Sequence, residues 1–360
     1  MTHPAPPLAA LFELTHRCPL QCAYCSNPLA LTPPAQELTT AQWQDAIRQL
    51  QALGVLQVHF SGGEPAARND LETLVETAHR SDLYTNLITS GVTLKEARID
   101  RLAGAGLDHI QLSIQDTDEA QADAMAGVKG ALARKAAAAR AIRAAGLPLT
   151  VNCVIQRRNV ARVAAMIDWA LEAGARRIEI AHVQYYGWAI PNRAALLPPR
   201  EAVDRALAVI EDARERLKGI IAIDHVIPDY YAARPKACMG GWGRQFLVID
   251  PAGDVLPCHA AKTIPDLRFD NVRQRDLASI WNEGEAFQRF RGTAWMPQPC
   301  RSCERKEVDW GGCRCQALKI AGNAAATDPA CALSPAHARL QALAGVTDLA
   351  PSPLLYRRYI

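Results

Sequence analysis

Eleven cysteines are spread unevenly over 360 residues. Cys18, Cys22 and Cys25 fall within one stretch, CPLQCAYC. A structural zinc ion takes four ligands in a closed tetrahedron, and a redox dithiol takes two. Three thiolates suit a cubic [4Fe–4S] cluster with one iron left free to bind something else. A zinc site completed from elsewhere and inert buried thiols are the alternatives for this loop. The later cysteines are Cys238, Cys258, Cys300, Cys303, Cys313, Cys315 and Cys331, one short of the ligands for two four-ligand clusters. Cys300, Cys303, Cys313 and Cys315 by themselves could also form a zinc ribbon. Cys153 stands inside an apolar run and reads as a buried free thiol.

Composition limits the rest. Hydrophobic residues make up 49% and charged residues 21%, with a formal charge of +3, as in an ordinary globular protein with no basic block for nucleic acid. No apolar run approaches the length of a bilayer span, and the start MTHPAPPLAA lacks the pattern of a secretory signal. The expected location is the cytoplasm, where clustered cysteines mean metal or catalysis in preference to disulfides.

The elements that must position these thiols have a recurring phrase: a helical run, a glycine, then a short apolar strand. It appears at Gly54 (ALGVLQVHF), Gly106 (GAGLDHIQLSI), Gly146 (AAGLPLTVNCVI) and Gly174 (EAGARRIEIAHV). Each glycine sits where a helix end needs a left-handed residue. With LAALFELT and YTNLITS this gives six strands alternating with helices, hence a parallel α/β sheet with helices outside. In HIQLSIQ, Ile110, Leu112 and Ile114 take one face and His109, Gln111, Ser113 and Gln115 the other. A polar inner face predicts a curved, partly open barrel, with its site at the C-terminal strand ends. ALARKAAAARAIRAAG reads as a strong helix whose Arg and Lys form a solvated face. The expected divisions are a partial barrel over 1–220, a bridging segment over 221–237, a cysteine-rich cluster-binding part over 238–335, and a tail over 336–360. Metal clusters would supply the folding energy that the cysteine-rich part lacks. The tail, with a short helical piece and then PSPLLYRRYI, is either loosely ordered or docks a partner.

The three-cysteine loop follows the first strand, and Ser61-Gly62-Gly63-Glu64-Pro65 ends the second, so both lie at one mouth of the barrel. CxxxCxYC followed by GGEP one β/α unit later resembles the radical S-adenosylmethionine (SAM) enzymes, whose partial (β/α)6 TIM-like barrel covers the first half of the chain. In that family the free iron is chelated by the amino and carboxylate groups of SAM, and electron donation releases a 5′-deoxyadenosyl radical. By the resemblance, Cys18, Cys22 and Cys25 hold the cluster. The Gly62-Gly63-Glu64 backbone and carboxylate receive the SAM ammonium, and Tyr24 lies by the adenine. Ser113 and Asn152 are candidates for the ribose and carboxylate, or are ordinary lumen-facing polar residues.

The cysteine-rich half resembles the SPASM extension of radical SAM peptide-modifying enzymes, whose pattern includes Cys-x2-Cys-x5-Cys-x3-Cys. Here Asp309 stands where that pattern has its third cysteine, between Cys303 and Cys313. It supplies the missing eighth ligand, or is a surface carboxylate beside an open site. The resemblance implies two auxiliary clusters, [2Fe–2S] or [4Fe–4S]. Cys238, Cys258, Cys313 and Cys315 would hold the first, and Cys300, Cys303, Asp309 and Cys331 the second.

Over nearly its whole length, through NPLAL, HVQYYGWA, DYYAARPKACMGGWG and VDWGGCRCQA, the chain is similar to the peptide cyclases of pyrroloquinoline quinone (PQQ) biosynthesis. That family implies a carbon–carbon bond between a glutamate and a tyrosine of a precursor peptide, PqqA. It also implies a peptide chaperone, PqqD, and a reductant such as flavodoxin or ferredoxin. Gln184, Tyr185, Tyr186 and Trp188 then lie where a peptide would enter, or form an apolar plug. His59 and His182 read as satisfied core histidines, and no residue is identified as the base for the ring proton. Other SPASM maturases, forming thioethers or formylglycine, are the enzyme alternative. A non-catalytic iron–sulfur carrier is the alternative outside that class.

Overall fold

The computed structural model describes residues 4–345 and 353–358. Nine strands form one sheet: β1 (Ala9–Glu13), β2 (Gln57–Ser61), β3 (Tyr84–Thr89), β4 (His109–Ile114), β5 (Leu149–Ile155), β6 (Arg177–His182), β7 (Ala222–Val226), β8 (Phe246–Ile249) and β9 (Val255–Leu256). The order is β7-β6-β5-β4-β3-β2-β1-β8-β9, with every pair parallel except β8 and β9.

Helices α1 (Thr40–Leu53), α2 (Leu71–Arg80), α3 (Glu96–Gly104), α4 (Glu119–Ala126), α5 (Ala131–Ala144), α6 (Val163–Glu172), α7 (Arg193–Leu196) and α8 (Arg200–Arg216) connect β1 through β7. Helix α1 shows how the sequence punctuates them. Thr39 and Gln42 form a reciprocal capping box at its start, and Gly54, at φ 85°, turns the chain out of it. The phrase of helix, glycine and strand recurs once more at Gly219, in RLKGIIAIDHV, giving seven strands where six were expected. The seventh, β7, falls in the span read as a bridge. It pairs with β6 from Arg177↔Ala222 to Ala181↔Val226.

The outer faces of the strands and the inner stripes of the helices share one large apolar core, which includes Ile110, Leu112 and Ile114. Phe12 packs on Trp43 with ring centroids 4.8 Å apart, both fully buried. Burying such side chains contributes roughly 1.5–3 kcal/mol each. The opposite face is polar and internally bonded. Asn86 bridges His59 (3.0 Å) and His109 (2.7 Å), and His109 reaches Thr150 (2.9 Å). One layer further up, Gln111 (2.8 Å) and Asn152 (3.1 Å) both donate to Glu179.

The cysteine-rich half is joined to the barrel edge-on: β8 adds to β1 over Ala9↔Phe246 to Phe12↔Ile249. It continues through α9 (Leu277–Glu283), α10 (Glu285–Gln288), α11 (Lys306–Asp309) and α12 (Arg314–Ala321) to α13 (His337–Gly345). Its own core is small, and Cys258 and Cys315 are members of it. No helix is long and apolar enough to cross a membrane among the described residues.

One reading, of a helix face, is corrected. Lys135, read as part of a solvated helix face, is fully buried and donates to the carbonyls of Ser90 (2.9 Å) and Ser113 (2.7 Å). The short helix α13 does occur in the tail. Residues 353–358, however, lie against the chain's own three-cysteine loop, with Arg357 N–H donating to the Gln21 carbonyl. The remaining tail positions, 346–352 and 359–360, lie outside the described residues.

Candidate functional site

The three-cysteine loop has little secondary structure of its own and is held by its neighbours. Gly63 N–H donates to the Thr15 carbonyl (2.6 Å) and Glu64 N–H to that of Arg17 (2.8 Å). Gln21 N–H donates to the Ala126 carbonyl at the end of α4 (2.8 Å), and Trp188 N–H to the Cys25 carbonyl (3.0 Å). Asn192 donates to the Ala23 carbonyl (2.7 Å). Loops after β2, β4 and β6 thus converge on the segment from Thr15 to Cys25.

This contact explains the glycines of GGEP. A Cβ on Gly62 would sit 2.4 Å from the Thr15 carbonyl oxygen, and one on Gly63 2.4 Å from that of Arg17. The close approach they permit is to the root of the cysteine loop, where backbone meets backbone. Glu64 is bonded within the protein as well. Its carboxylate is fully buried and accepts from Thr89 Oγ1 (2.7 Å), Ala66 N–H (3.1 Å), Ser90 N–H (2.9 Å) and the Ser90 hydroxyl. It ties the second strand's loop to the end of β3.

Burial raises all three thiols, with the Glu64 carboxylate adding to the effect at Cys18 and the neighbouring Cys25 at Cys22, which is pushed up to about 12. Two buried cations oppose this. Lys135 faces Cys22, and the Arg357 guanidinium lies against Cys25 and within electrostatic reach of Cys18 and Cys22. Burial itself lowers Lys135 to about 8. A thiol loop with buried countercharge fits an anionic thiolate-bound cluster, and thiolate is the form that ligates metal.

Beside the loop, Tyr24 Oη and Gln115 Oε1 are buried polar atoms without a close hydrogen-bond partner among the described residues, and Gln115 lies beside the Tyr24 phenol. Ser113 and Asn152 are register partners on β4 and β5. Asn152 is committed to Glu179, and the Ser113 carbonyl to Lys135.

The later cysteines gather into two sets. Cys238, Cys258, Cys315 and Cys313 have neighbouring sulfurs arranged in a ring. Cys300, Cys303, Asp309 and Cys331 line a second cavity, together with Thr327 and Asp328. Asp309 is 8% exposed and so is no surface carboxylate; one of its oxygens accepts from Gly311 N–H (3.0 Å). Among the described residues no three of these donors converge at single-ion distance. The backbone is bent beside both sets: Met239, after Cys238, and Trp310, after Asp309, each have φ 52°, uncommon without glycine.

Several contributors were not read from the sequence. Asp328 accepts from Cys313 N–H (2.6 Å) and Ala330 N–H (2.9 Å), tying the two sets together. Gly312 leaves room for it, since a Cβ there would meet Asp328 at 2.2 Å. Arg314 is buried under Trp295 and donates to the carbonyls of Ala324 (2.9 Å) and Ala326 (2.8 Å). Its place between Cys313 and Cys315 was the available signal. Tyr186 leaves the loop after β6 and packs into the small apolar core around Cys258, where its hydroxyl bonds His259. Tyr185 stacks edge-on against Tyr230 at 4.9 Å. His59 is bonded to Asn86 as expected of a core histidine, but both nitrogens of His182 are buried without a partner among the described residues.

A parallel partial barrel with a three-cysteine loop and a GGEP loop clamped together at its mouth defines a radical SAM enzyme. Residues 12–170 match the radical SAM superfamily, and residues 238–304 match the iron–sulfur cluster-binding domain called SPASM. Streptococcus suis SuiB bound to S-adenosylmethionine shares the fold, with a TM-score of 0.73 at 19% identity over 88% of this chain and 75% of the other. The anSMEcpe structure with bound AdoMet gives 0.67 at 15% identity, over 94% and 92%. Within that class the chain belongs to the PqqA peptide cyclase family. The Gluconobacter oxydans PqqA peptide cyclase is 58% identical over 100% of both chains, and that of Xanthomonas oryzae pv. oryzae is 56% identical over 99% of this chain and 96% of the other.

Proposed function

We propose that this chain joins a glutamate and a tyrosine side chain of the PqqA precursor peptide through a carbon–carbon bond, a step in PQQ biosynthesis. The observation that carries the reading is 56–58% identity along the full chain to relatives named PqqA peptide cyclase. Cys18, Cys22 and Cys25 would hold a [4Fe–4S] cluster. The main chain of Gly62 and Gly63, with Tyr24, Gln115, Ser113 and Asn152, would line the SAM pocket. Bound there, the cluster and SAM supply a 5′-deoxyadenosyl radical strong enough to take hydrogen from an unactivated carbon. Cys238, Cys258, Cys313 and Cys315 would hold one auxiliary cluster, and Cys300, Cys303, Asp309 and Cys331 another.

The residues of the chain contribute order and exclusion of water. Glu64, fixed by Thr89 and Ser90, holds the loop after β2 against the cysteine loop. After β6 the chain turns Tyr186 toward the auxiliary cysteines and Tyr185 toward Tyr230 and the cluster around Tyr24. A short peptide loses entropy when it is ordered on such a surface, which supports a chaperone of the PqqD kind. A flavodoxin or ferredoxin would supply electrons. Eleven free thiols support a reducing cytoplasm.

The test is anaerobic incubation of reconstituted protein with PqqA, PqqD, SAM and reductant, followed by fragment mass analysis. The expected product is two hydrogens lighter, with a Glu–Tyr cross-link, and forms alongside 5′-deoxyadenosine. Peptide recovered unchanged in mass while SAM is cleaved would overturn the cyclase reading.

A further inference from the structure

The last described residues of the chain lie on its first functional loop. Asn192 clasps the backbone of Leu355 in both directions, donating to its carbonyl (2.7 Å) and accepting from its N–H (2.8 Å). The same amide holds the Ala23 carbonyl between Cys22 and Cys25. Leu354 packs with Tyr24 against Ala23, Met125, Val183 and Ala189. The Tyr356 hydroxyl donates to the Ala124 carbonyl of α4 (3.0 Å).

Arg357 goes deepest. It is 1% exposed, and its N–H donates to the Gln21 carbonyl (3.3 Å). Its Nη2 donates to the His16 carbonyl, so its main chain and side chain together span the segment that carries Cys18. Its Nε is buried without a close partner among the described residues. A buried guanidinium is costly unless it meets acceptors or negative charge. Its two Nη nitrogens donate to the His16 and Arg358 carbonyls, and the guanidinium also lies against Cys25.

We propose that residues 353–358 are a strap over the three-cysteine loop and that Arg357 is a positioning residue of the N-terminal cluster. Its side chain fixes the loop through the His16 carbonyl, its main chain through that of Gln21, and its guanidinium faces the ligand sulfurs on the Cys25 side. A donor and a positive charge at that place stabilise the reduced, more negative cluster and raise its potential. The inference rests on the reading of Cys18, Cys22 and Cys25 as cluster ligands.

Reconstituted full-length Arg357→Met and Arg357→Lys, and a chain ending at residue 352, would be compared with the parent under anaerobic conditions. The readouts are iron release to a chelator and the potential of the SAM-perturbed cluster signal in electron paramagnetic resonance. Unchanged auxiliary signals show that the fold is intact. Arg357→Met and the truncation are expected to release iron roughly tenfold to a hundredfold faster, the range for lost ligand-supporting contacts. They should also lower the potential, with Arg357→Lys between them and the parent. Parental release and potential in Arg357→Met would overturn the strap. A triple Cys18/Cys22/Cys25→Ala variant separates the two failures. If it keeps the SAM-perturbed signal, the ligand reading falls and the strap with it; if it loses the signal while Arg357→Met is unchanged, only the strap falls.

Discussion

At the scale of single residues, Asp309 and Gly63 make the sharpest predictions. Asp309 is buried in a cavity wall shared with Cys300, Cys303 and Cys331, in a position that a thiolate could also fill. Asp309→Cys should keep a cluster but shift its reduction potential, because ligand softness and charge change. Asp309→Ala should leave one iron without its protein ligand and reduce cross-linking more than SAM cleavage. Potentiometry and paired assays of deoxyadenosine and peptide product check both. For Gly63→Ala the added carbon meets two backbone oxygens, of Arg17 at 2.4 Å and His16 at 2.7 Å, neither of which can rotate away. The expected result is loss of the N-terminal cluster with the auxiliary clusters retained, read from iron content and cluster spectra. Tight backbone contact was not legible in GGEP itself. The motif advertises glycine, but what the glycine approaches is set by a segment some 45 residues earlier in the chain.

At the scale of elements, local codes were readable and pairings between distant segments were not. Gly54, Gly106, Gly146 and Gly174 all have positive φ at helix ends, because that demand is written within one turn of chain. The inner polar and outer apolar alternation of β4 was likewise visible in seven residues. That β8 would join β1, or that Lys135 on an alanine-rich helix would turn inward to two strand-end carbonyls, depends on partners far away in sequence. His182, at the end of β6, carries a prediction of the same kind. Burial, with His225 beside it, lowers His182 to about 3 from 6.5. Between those values the unfolded chain holds a proton that the folded one does not. Its contribution is present above pH 6.5 and is lost as pH falls toward 3, by up to about 1.4 kcal/mol per pH unit for one proton. His182→Gln should flatten the acid limb of stability measured by denaturant midpoint between pH 6.5 and 5. His59, lowered to about 4 chiefly by burial, would keep part of the slope.

At the scale of the whole molecule, the barrel and the cysteine-rich half share one sheet, and Leu277, Ile280, Trp281 and Phe287 of the second half pack into the barrel's core, while the cysteines gather around a smaller core. Clusters held there, as proposed, would add folding energy to that half. Stripping iron from the auxiliary sites should therefore lower the thermal midpoint. Because β8 is hydrogen-bonded along β1, the loss should spread to the barrel in one broadened transition, without two separate ones. Calorimetry of reconstituted and iron-free protein checks this; an iron-free barrel that melts at the reconstituted midpoint would count against it.

The contact between Arg357 and His16 joins residues 341 positions apart. During synthesis Cys18, Cys22 and Cys25 emerge long before the arginine that closes over them. At roughly 5–20 residues per second the loop stays uncovered for on the order of tens of seconds. Over that interval an iron–sulfur donor protein has open access to Cys18, Cys22 and Cys25. Once the chain is released, the strap falls across the same opening. The order of translation thereby sets an order of maturation, with metal delivered first and closure after it.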